Sequence, residues 1–254
     1  MPQLSFVIPA LNEQENIVAV LGLIPTAQLR AAGLVHEVIV VDNGSTDNTA
    51  DLALQCGARV VHQSRRGYGN AYRAGFDAAL GDVIITGDAD CTYPFDHAVG
   101  LVNHLEQGGF DFLSTDRLRP TNRHAMKRTH AWANWLLSAL GTSLFRAPFR
   151  DSQSGMWVFR RHVWPRLDVR SPGMAFSQEI KHEAHARGFR CAEVPIEYRE
   201  RGGEVKLDAW RDGVRNLAQM MAHRLRVGGA RRPALQAAGI ELSSAVRSGD
   251  VDAA

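Results

Sequence analysis

Asp82-Val-Ile-Ile-Thr-Gly-Asp88-Ala-Asp90-Cys-Thr-Tyr-Pro94 decides how the rest of the chain is read. Val83, Ile84 and Ile85 form a short, unbroken, β-branched run, the pattern of a strand covered on both faces. Gly87 ends the run, and two carboxylates follow one residue apart. Acids at the end of a buried strand emerge at the carboxyl edge of the sheet, where open α/β sheets take their ligands. Two hard oxygen donors there suit Mg²⁺ or Mn²⁺ holding a diphosphate. Alone, the pattern reads at least as well as a polar strand end entering a turn. Its neighbours along the chain decide between the two.

Upstream, Leu4 to Ile8 reads as a first buried strand stopped by Pro9. The acid-rich run Asn12 to Asn16 opens a helix carrying Ile17, Val20, Leu21 and Ile24 at helical spacing. His36 to Val41 is a second strand, placed beside the one bearing Asp88, and it ends in Asp42-Asn-Gly-Ser-Thr-Asp47-Asn-Thr49. That turn cluster caps a helix from Thr49 to Cys56, the role preferred for Asp47; Arg59 to His62 is a third strand. Arg65-Arg-Gly67-Tyr-Gly69-Asn-Ala-Tyr72 leads into a helix ending near Gly81. It has the look of a dinucleotide fingerprint, but Tyr72 stands at the third Gly and no strand leads directly in, which excludes a Rossmann dehydrogenase. Strand–helix alternation over 4–90 predicts a mainly parallel, doubly wound sheet.

Downstream, Phe110 to Ser114 is a strand leading to Asp116-Arg117, and Met126 to Phe145 is a long apolar helix with Trp132 and Trp135. Arg150-Asp151-Ser-Gln-Ser-Gly155 is a polar hinge before the strand Met156 to Phe159. Gly173 to Glu179 opens a helix reaching about Arg187, and Cys191 to Tyr198 is extended because Pro195 forbids helix. Leu207 to Val227 is amphipathic, with Leu207, Trp210, Val214, Leu217, Met221 and Leu225 at helical intervals. The folded domain is expected over 1–227, with a flexible tail over 228–254.

At 254 residues and 45% hydrophobic, the chain can bury one large core. A net charge of +2 argues against a nucleic-acid partner. Cys56, Cys91 and Cys191 are widely spaced and fit reduced thiols in a cytoplasmic protein. No leading stretch has the pattern of a signal peptide, and no apolar segment approaches the ~20 residues of a membrane span. A cytoplasmic location follows, with a peripheral position on the inner membrane face open to it.

Seven motifs in order carry a resemblance: Val7-Ile-Pro-Ala-Leu-Asn-Glu13, Val40-Val-Asp-Asn-Gly-Ser-Thr-Asp47, Arg66-Gly-Tyr-Gly-Asn-Ala-Tyr72, Gly87-Asp-Ala-Asp-Cys-Thr-Tyr-Pro94, Asp151-Ser-Gln-Ser-Gly-Met156, Gly173-Met-Ala-Phe176 and Glu193-Val-Pro-Ile-Glu-Tyr-Arg199. Spanning about residues 4–226, they resemble the family 2 glycosyltransferases of GT-A fold, in particular the polyprenyl-phosphate (dolichyl-phosphate-like) mannosyl- and glucosyltransferases. The resemblance implies an α/β, Rossmann-like single domain with a mainly parallel sheet flanked by helices. It implies inverting transfer of a hexose from UDP-glucose or GDP-mannose to a polyprenyl phosphate. Pro9, Ala10, Glu13, Asp42, Gly67, Asp88, Ala89 and Asp90 would bind the donor, and Asp88 and Asp90 the Mg²⁺ or Mn²⁺. Asp90 and Asp151 would be catalytic, and Arg117, Arg199, Arg201 and Lys206 would hold acceptor phosphate.

A phosphate monoester has a second pKa of ~6 and is already ionised, so Asp151 need only orient; a hydroxyl acceptor would need it as base. Three departures from the family pattern bear on substrate: Thr92 where many relatives carry Gln, Ala175 where a carboxylate is usual, and Val205 in place of a hydroxyl. Two other readings stand beside the lipid acceptor: the same donor with a soluble hydroxyl acceptor, and a non-catalytic nucleotide-binding protein. Oligomeric state is not legible. His182-Glu-Ala-His185 is one residue short of a zinc-binding spacing and reads as solvated polar side chains on a helix. The basic, aromatic stretch from His124 to Trp135 can be ordinary core or an interfacial helix on a membrane.

Overall fold

The computed structural model describes residues 3–122, 128–200 and 209–227. Seven strands form one sheet in the order β3-β2-β1-β4-β6-β5-β7. They are β1 Leu4–Ala10, β2 His36–Asp42, β3 Arg59–His62, β4 Val83–Thr86, β5 Phe112–Asp116, β6 Trp157–Arg160 and β7 Cys191–Pro195. The helices are α1 Ile17–Gly22, α2 Thr26–Ala31, α3 Thr49–Gln55, α4 Tyr68–Ala78, α5 Ala98–Gln107, α6 Arg128–Phe145, α7 Phe176–Ala186 and α8 Ala209–Val227. The expected α/β class and mainly parallel sheet hold. Pairings β1–β2, β1–β4, β2–β3 and β5–β7 are parallel, and β6 runs antiparallel to both neighbours.

Alternate side chains of each strand enter opposite cores. Phe6, Ile8, Val40, Ile85 and Val158 pack in one with Leu101 and Leu105 of α5. Val7, Ile39, Val41, Ile84 and Phe159 pack in the other with Tyr72 and Phe76 of α4 and Phe176 of α7. Coverage on both faces is why the strands read as continuous apolar runs. Gly75 lets α4 lie directly on the sheet: a Cβ there would stand 2.3 Å from Val7 Cγ1 and 2.9 Å from Val41 Cγ2.

Several expectations need correction. Pro9 does not stop β1, which pairs Pro9 with Val41 and Ala10 with Asp42. The ladder to β4 has already ended at Val7 and Thr86, so the missing N–H of Pro9 leaves only the β2 side to satisfy. The strand of Asp42 is not beside that of Asp88, because β1 lies between them. Helices α2 and α5 were not expected. His182 and Glu183 are not solvated; both are buried, with His182 stacked on Phe145 at 4.4 Å and Glu183 accepting from His223 at 2.8 Å. Among the described side chains of α8, Asn216, Met220 and His223 are buried, while Leu217, Met221 and Leu225 of the apolar stripe are 40%, 46% and 82% exposed; Leu207 and the side chains of Trp210 and Val214 lie outside the described residues. The helix packs by a partly polar face because α7 offers it Gln178, Glu179 and Glu183 as partners. Arg201, Lys206 and Val205, and the expected tail from Gly228 onward, lie outside the described residues.

Candidate active site

Chain direction assembles the site. The ends of β1, β2, β4 and β5 all emerge at the carboxyl edge, and because β6 runs backward, the segment leading into it, 151–155, arrives at that same edge.

At the β1–β2 end, two loops are laced together. Asn12, at φ 54, ties its loop to the one after β2: its N–H donates to Ser45 Oγ at 3.0 Å and its Oδ1 accepts from Thr46 N at 2.8 Å. Glu13 N donates to Thr49 Oγ1 at 2.8 Å. Asp47 accepts from Gln14 N and from Thr49 N, opening the turn into α3 from the position before its N-cap, Asn48. Asp42 accepts from Ser45 N at 2.9 Å and lies 3.2 Å from His62 Nδ1. Burial opposes ionisation of Asp42, but the bonds from Ser45 and His62 outweigh it and hold its carboxyl below the usual range. Gly67, at φ 135, opens α4 with its N–H on Asn43 Oδ1 at 2.7 Å, and a Cβ would meet the Pro172 carbonyl at 2.3 Å. Pro9, Ala10, Glu13, Asp42 and Gly67 thus share one edge.

At the β4 end, Asp88 is half-buried and Asp90 is 3% exposed. Asp88 Oδ1 accepts from Tyr68 Oη at 2.9 Å and Tyr72 Oη at 3.4 Å. Burial first, then the Asp88 charge, raise both phenols well above their ordinary range, so they remain donors. Asp90 Oδ1 accepts from Thr92 N at 3.1 Å and Thr92 Oγ1 at 2.6 Å, across Cys91 at φ 65. The departure at Thr92 therefore orients a carboxylate. Among the described residues no group of three or more His, Cys, Asp or Glu could hold a metal. Two carboxylates alone still fit Mg²⁺ or Mn²⁺, which take one or two from protein and the remainder from phosphate and water.

The third part was only half legible in the sequence. Asp151 is wholly buried, and its carboxylate accepts from Arg117 Nε at 2.7 Å, Nη2 at 3.0 Å and N at 3.1 Å. Burial opposes its ionisation, yet the Arg117 charge and hydrogen bonds hold its carboxyl low. Arg117 also lies over the Tyr198 ring at 5.3 Å and reaches Tyr93 Oη at 3.4 Å. Tyr93 Oη accepts from Gly155 N at 2.6 Å, and a Cβ on Gly155 would stand 2.2 Å from Tyr68 Oη and 3.4 Å from Asp88 Oδ1. One contact chain therefore joins Asp88 to Asp151. Arg199 ion-pairs with Asp96 at 2.8 Å, and its N–H donates to the Thr92 carbonyl. Tyr68, Tyr72, Tyr93 and Tyr198 were missed as site residues; the i, i+4 spacing of the first two on one helix was the available signal.

Known proteins share this architecture. A family model described as "Glycosyl transferase family 2" matches residues 5–166. A low-salt glycan biosynthesis hexosyltransferase of Haloferax volcanii is 35% identical over 87% of this chain, which spans only 54% of that protein's length. A dolichyl-phosphate hexose transferase of the same organism is 34% identical over 83% of this chain and 89% of its own. A polyprenol monophosphomannose synthase of Mycolicibacterium smegmatis is 30% identical over 77% of each. Among solved structures, the glucosyl-3-phosphoglycerate synthase of Mycobacterium tuberculosis, in complex with Mn²⁺, UDP and phosphoglyceric acid, superposes with a TM-score of 0.67. Its identity is 26%, covering 91% of this chain and 80% of that one.

Proposed function

The chain belongs to glycosyl transferase family 2, and on that premise we propose that it transfers a hexose from a nucleotide sugar, UDP-glucose or GDP-mannose, to a polyprenyl phosphate. The observation that carries the reading is the contact chain from Asp88 through Tyr68, Gly155, Tyr93 and Arg117 to Asp151. It couples a carboxylate pair suited to a diphosphate to an arginine suited to a phosphate monoester across one sheet edge.

In this reading Asp42, Glu13 and the backbone from Pro9 to Ala10 seat the nucleoside, with Gly67, kept small by the Pro172 carbonyl, and Ala89 completing the donor side. Asp88 and Asp90 would hold Mg²⁺ or Mn²⁺, which when bound neutralises charge on the departing nucleotide diphosphate. Arg117, with Arg199, Arg201 and Lys206, receives the acceptor phosphate, whose oxygen attacks the sugar carbon in one displacement and inverts it. Asp151 acts as a positioning residue, because its oxygens are committed to Arg117. The names of the dolichyl-phosphate and polyprenol relatives support a lipid acceptor. So do the exposed Trp135 and Leu136 on α6 and Leu217, Met221 and Leu225 on α8, which suit a peripheral seat on a membrane surface. Among the described residues no helix is long and apolar enough to cross one.

The phosphoglyceric acid bound by the mycobacterial synthase favours a second reading, a small soluble hydroxyl acceptor. Labelled UDP-glucose and GDP-mannose, incubated with Mn²⁺ and polyprenyl phosphate, should give lipid-extractable label that is lost in Asp90→Ala. Label confined to the aqueous phase would replace the lipid acceptor with the soluble one.

A further inference from the structure

Two further charged side chains, buried Lys181 and part-buried Glu193, bond the backbone that carries Asp151. Glu193 on β7 accepts from two successive amides, Arg150 N at 2.8 Å on Oε2 and Asp151 N at 3.1 Å on Oε1. Lys181 on α7 is fully buried, and its Nζ donates to the Asp151 carbonyl at 2.6 Å. The peptide units on both sides of the Asp151 Cα are therefore gripped by side chains of two other elements. The Asp151 carboxylate then takes three bonds from Arg117. Bonds from Ser152 N to Ser138 Oγ and from Gly155 N to Tyr93 Oη hold the rest of the segment, and the grip on both sides of the Asp151 Cα fixes the direction of the carboxylate it carries. A buried lysine is costly to keep charged, so its presence in place of an apolar side chain calls for a purpose beyond packing.

We propose that Lys181 and Glu193 are positioning residues for the acceptor, aiming Arg117 by clamping the Arg150–Asp151 backbone. The proposal rests on the acceptor role given to Arg117 above. It explains why the two residues hold backbone groups: the clamp fixes Asp151 while leaving its carboxylate oxygens for Arg117. It also assigns α7 and β7 a share in acceptor affinity, although neither Lys181 nor Glu193 touches the acceptor.

The test is steady-state kinetics with polyprenyl phosphate varied at saturating nucleotide sugar, and the reverse, in Lys181→Met and Glu193→Gln. Lys181→Met should raise the acceptor KM about tenfold or more, as for a misdirected binding group, with donor KM unchanged. Glu193→Gln retains one acceptor oxygen and should show a smaller rise in the same constant; it stands in if Lys181→Met fails to fold. In an Arg117→Lys background both increments should shrink, because the clamp acts through that guanidinium. Equal rises in donor and acceptor KM, or the same increment in both backgrounds, would overturn the clamp. A wild-type protein inactive on polyprenyl phosphate but active on a soluble acceptor would instead overturn the acceptor reading, and the clamp with it.

Discussion

The two ends of the edge are held by different means. Around the proposed donor pocket, carboxylates are steered by close neighbours in sequence: Asp42 by Ser45, Asp47 by Thr49, Asp90 by Thr92. On the proposed acceptor side the partners are distant in sequence: buried Arg117 and Lys181 bond Asp151, and part-buried Glu193 accepts from the Arg150 amide. Short local turns orient an acid through bonds from residues two or three positions away, even where, as with Asp42 and Asp90, the acid is buried. Buried long-range pairs fix direction more firmly, but they make the fold depend on charges staying matched. The donor half should thus be sensitive to size in its apolar packing, and the acceptor half to charge.

Arg117→Met is the strongest test of that contrast. It leaves the Asp151 carboxylate buried without its main partner and should cost about 3–5 kcal/mol, seen as a lowered urea midpoint; a loss below about 1 kcal/mol would break the contrast. Asp90→Ala removes a locally held acid instead. Its stability should stay within about 1 kcal/mol of wild type, while metal-dependent turnover falls at least about 100-fold. Gly75→Ala adds volume without charge, pressing on Val7 and Val41, and should cost about 1–3 kcal/mol by thermal denaturation.

The pH dependence of stability gives a shallower signal. Burial pushes Glu193 up to about 7, so the folded chain keeps a proton that the unfolded chain loses, and this contribution falls as pH rises from 4.5 to about 7. Burial pulls Lys181 down to about 8, against the attraction of Asp151, Glu193 and Asp116 and with the repulsion of Arg117. There the unfolded chain holds the extra proton, and stability rises again between about 8 and 10.5. The difference in stability between the wild type and the Lys181→Met, Glu193→Gln double variant should therefore pass through a minimum between about pH 7 and 8 in paired denaturant titrations, the other titrating groups being common to both. Smallest of all, Leu225→Ser on the exposed stripe should change stability by no more than about 0.5 kcal/mol yet reduce co-sedimentation with anionic vesicles.

This division also explains what the sequence disclosed. Val83 to Thr86 and His36 to Asp42 are covered on both faces, so their apolar runs announce strands without reference to anything distant. Asp88, Asp90 and Asp42 followed as strand ends. The order of strands did not, because register between β1, β2 and β4 is set by packing across the sheet. Helix α5 escaped notice although Ala98, Leu101, Val102 and Leu105 have the right spacing, since its start is blurred by the turn residues from Thr92 to Asp96. The partners of Asp151 could not be read at all: a bond across 30 residues leaves no local trace. Periodicity likewise found α8 but not Asn216 and His223 as buried positions, which are set by the polar surface of α7.

The ion pair between Arg117 and Asp151 has a further consequence. It staples together the two points where the chain leaves and rejoins the sheet edge, so everything from 118 to 150 is a cycle closed at its neck. Loop length enters the closure entropy only logarithmically, and the neck keeps its geometry whatever the cycle contains. Such a cycle is a natural cassette. A change in its length adds little closure cost and leaves Arg117 and Asp151 paired beneath it.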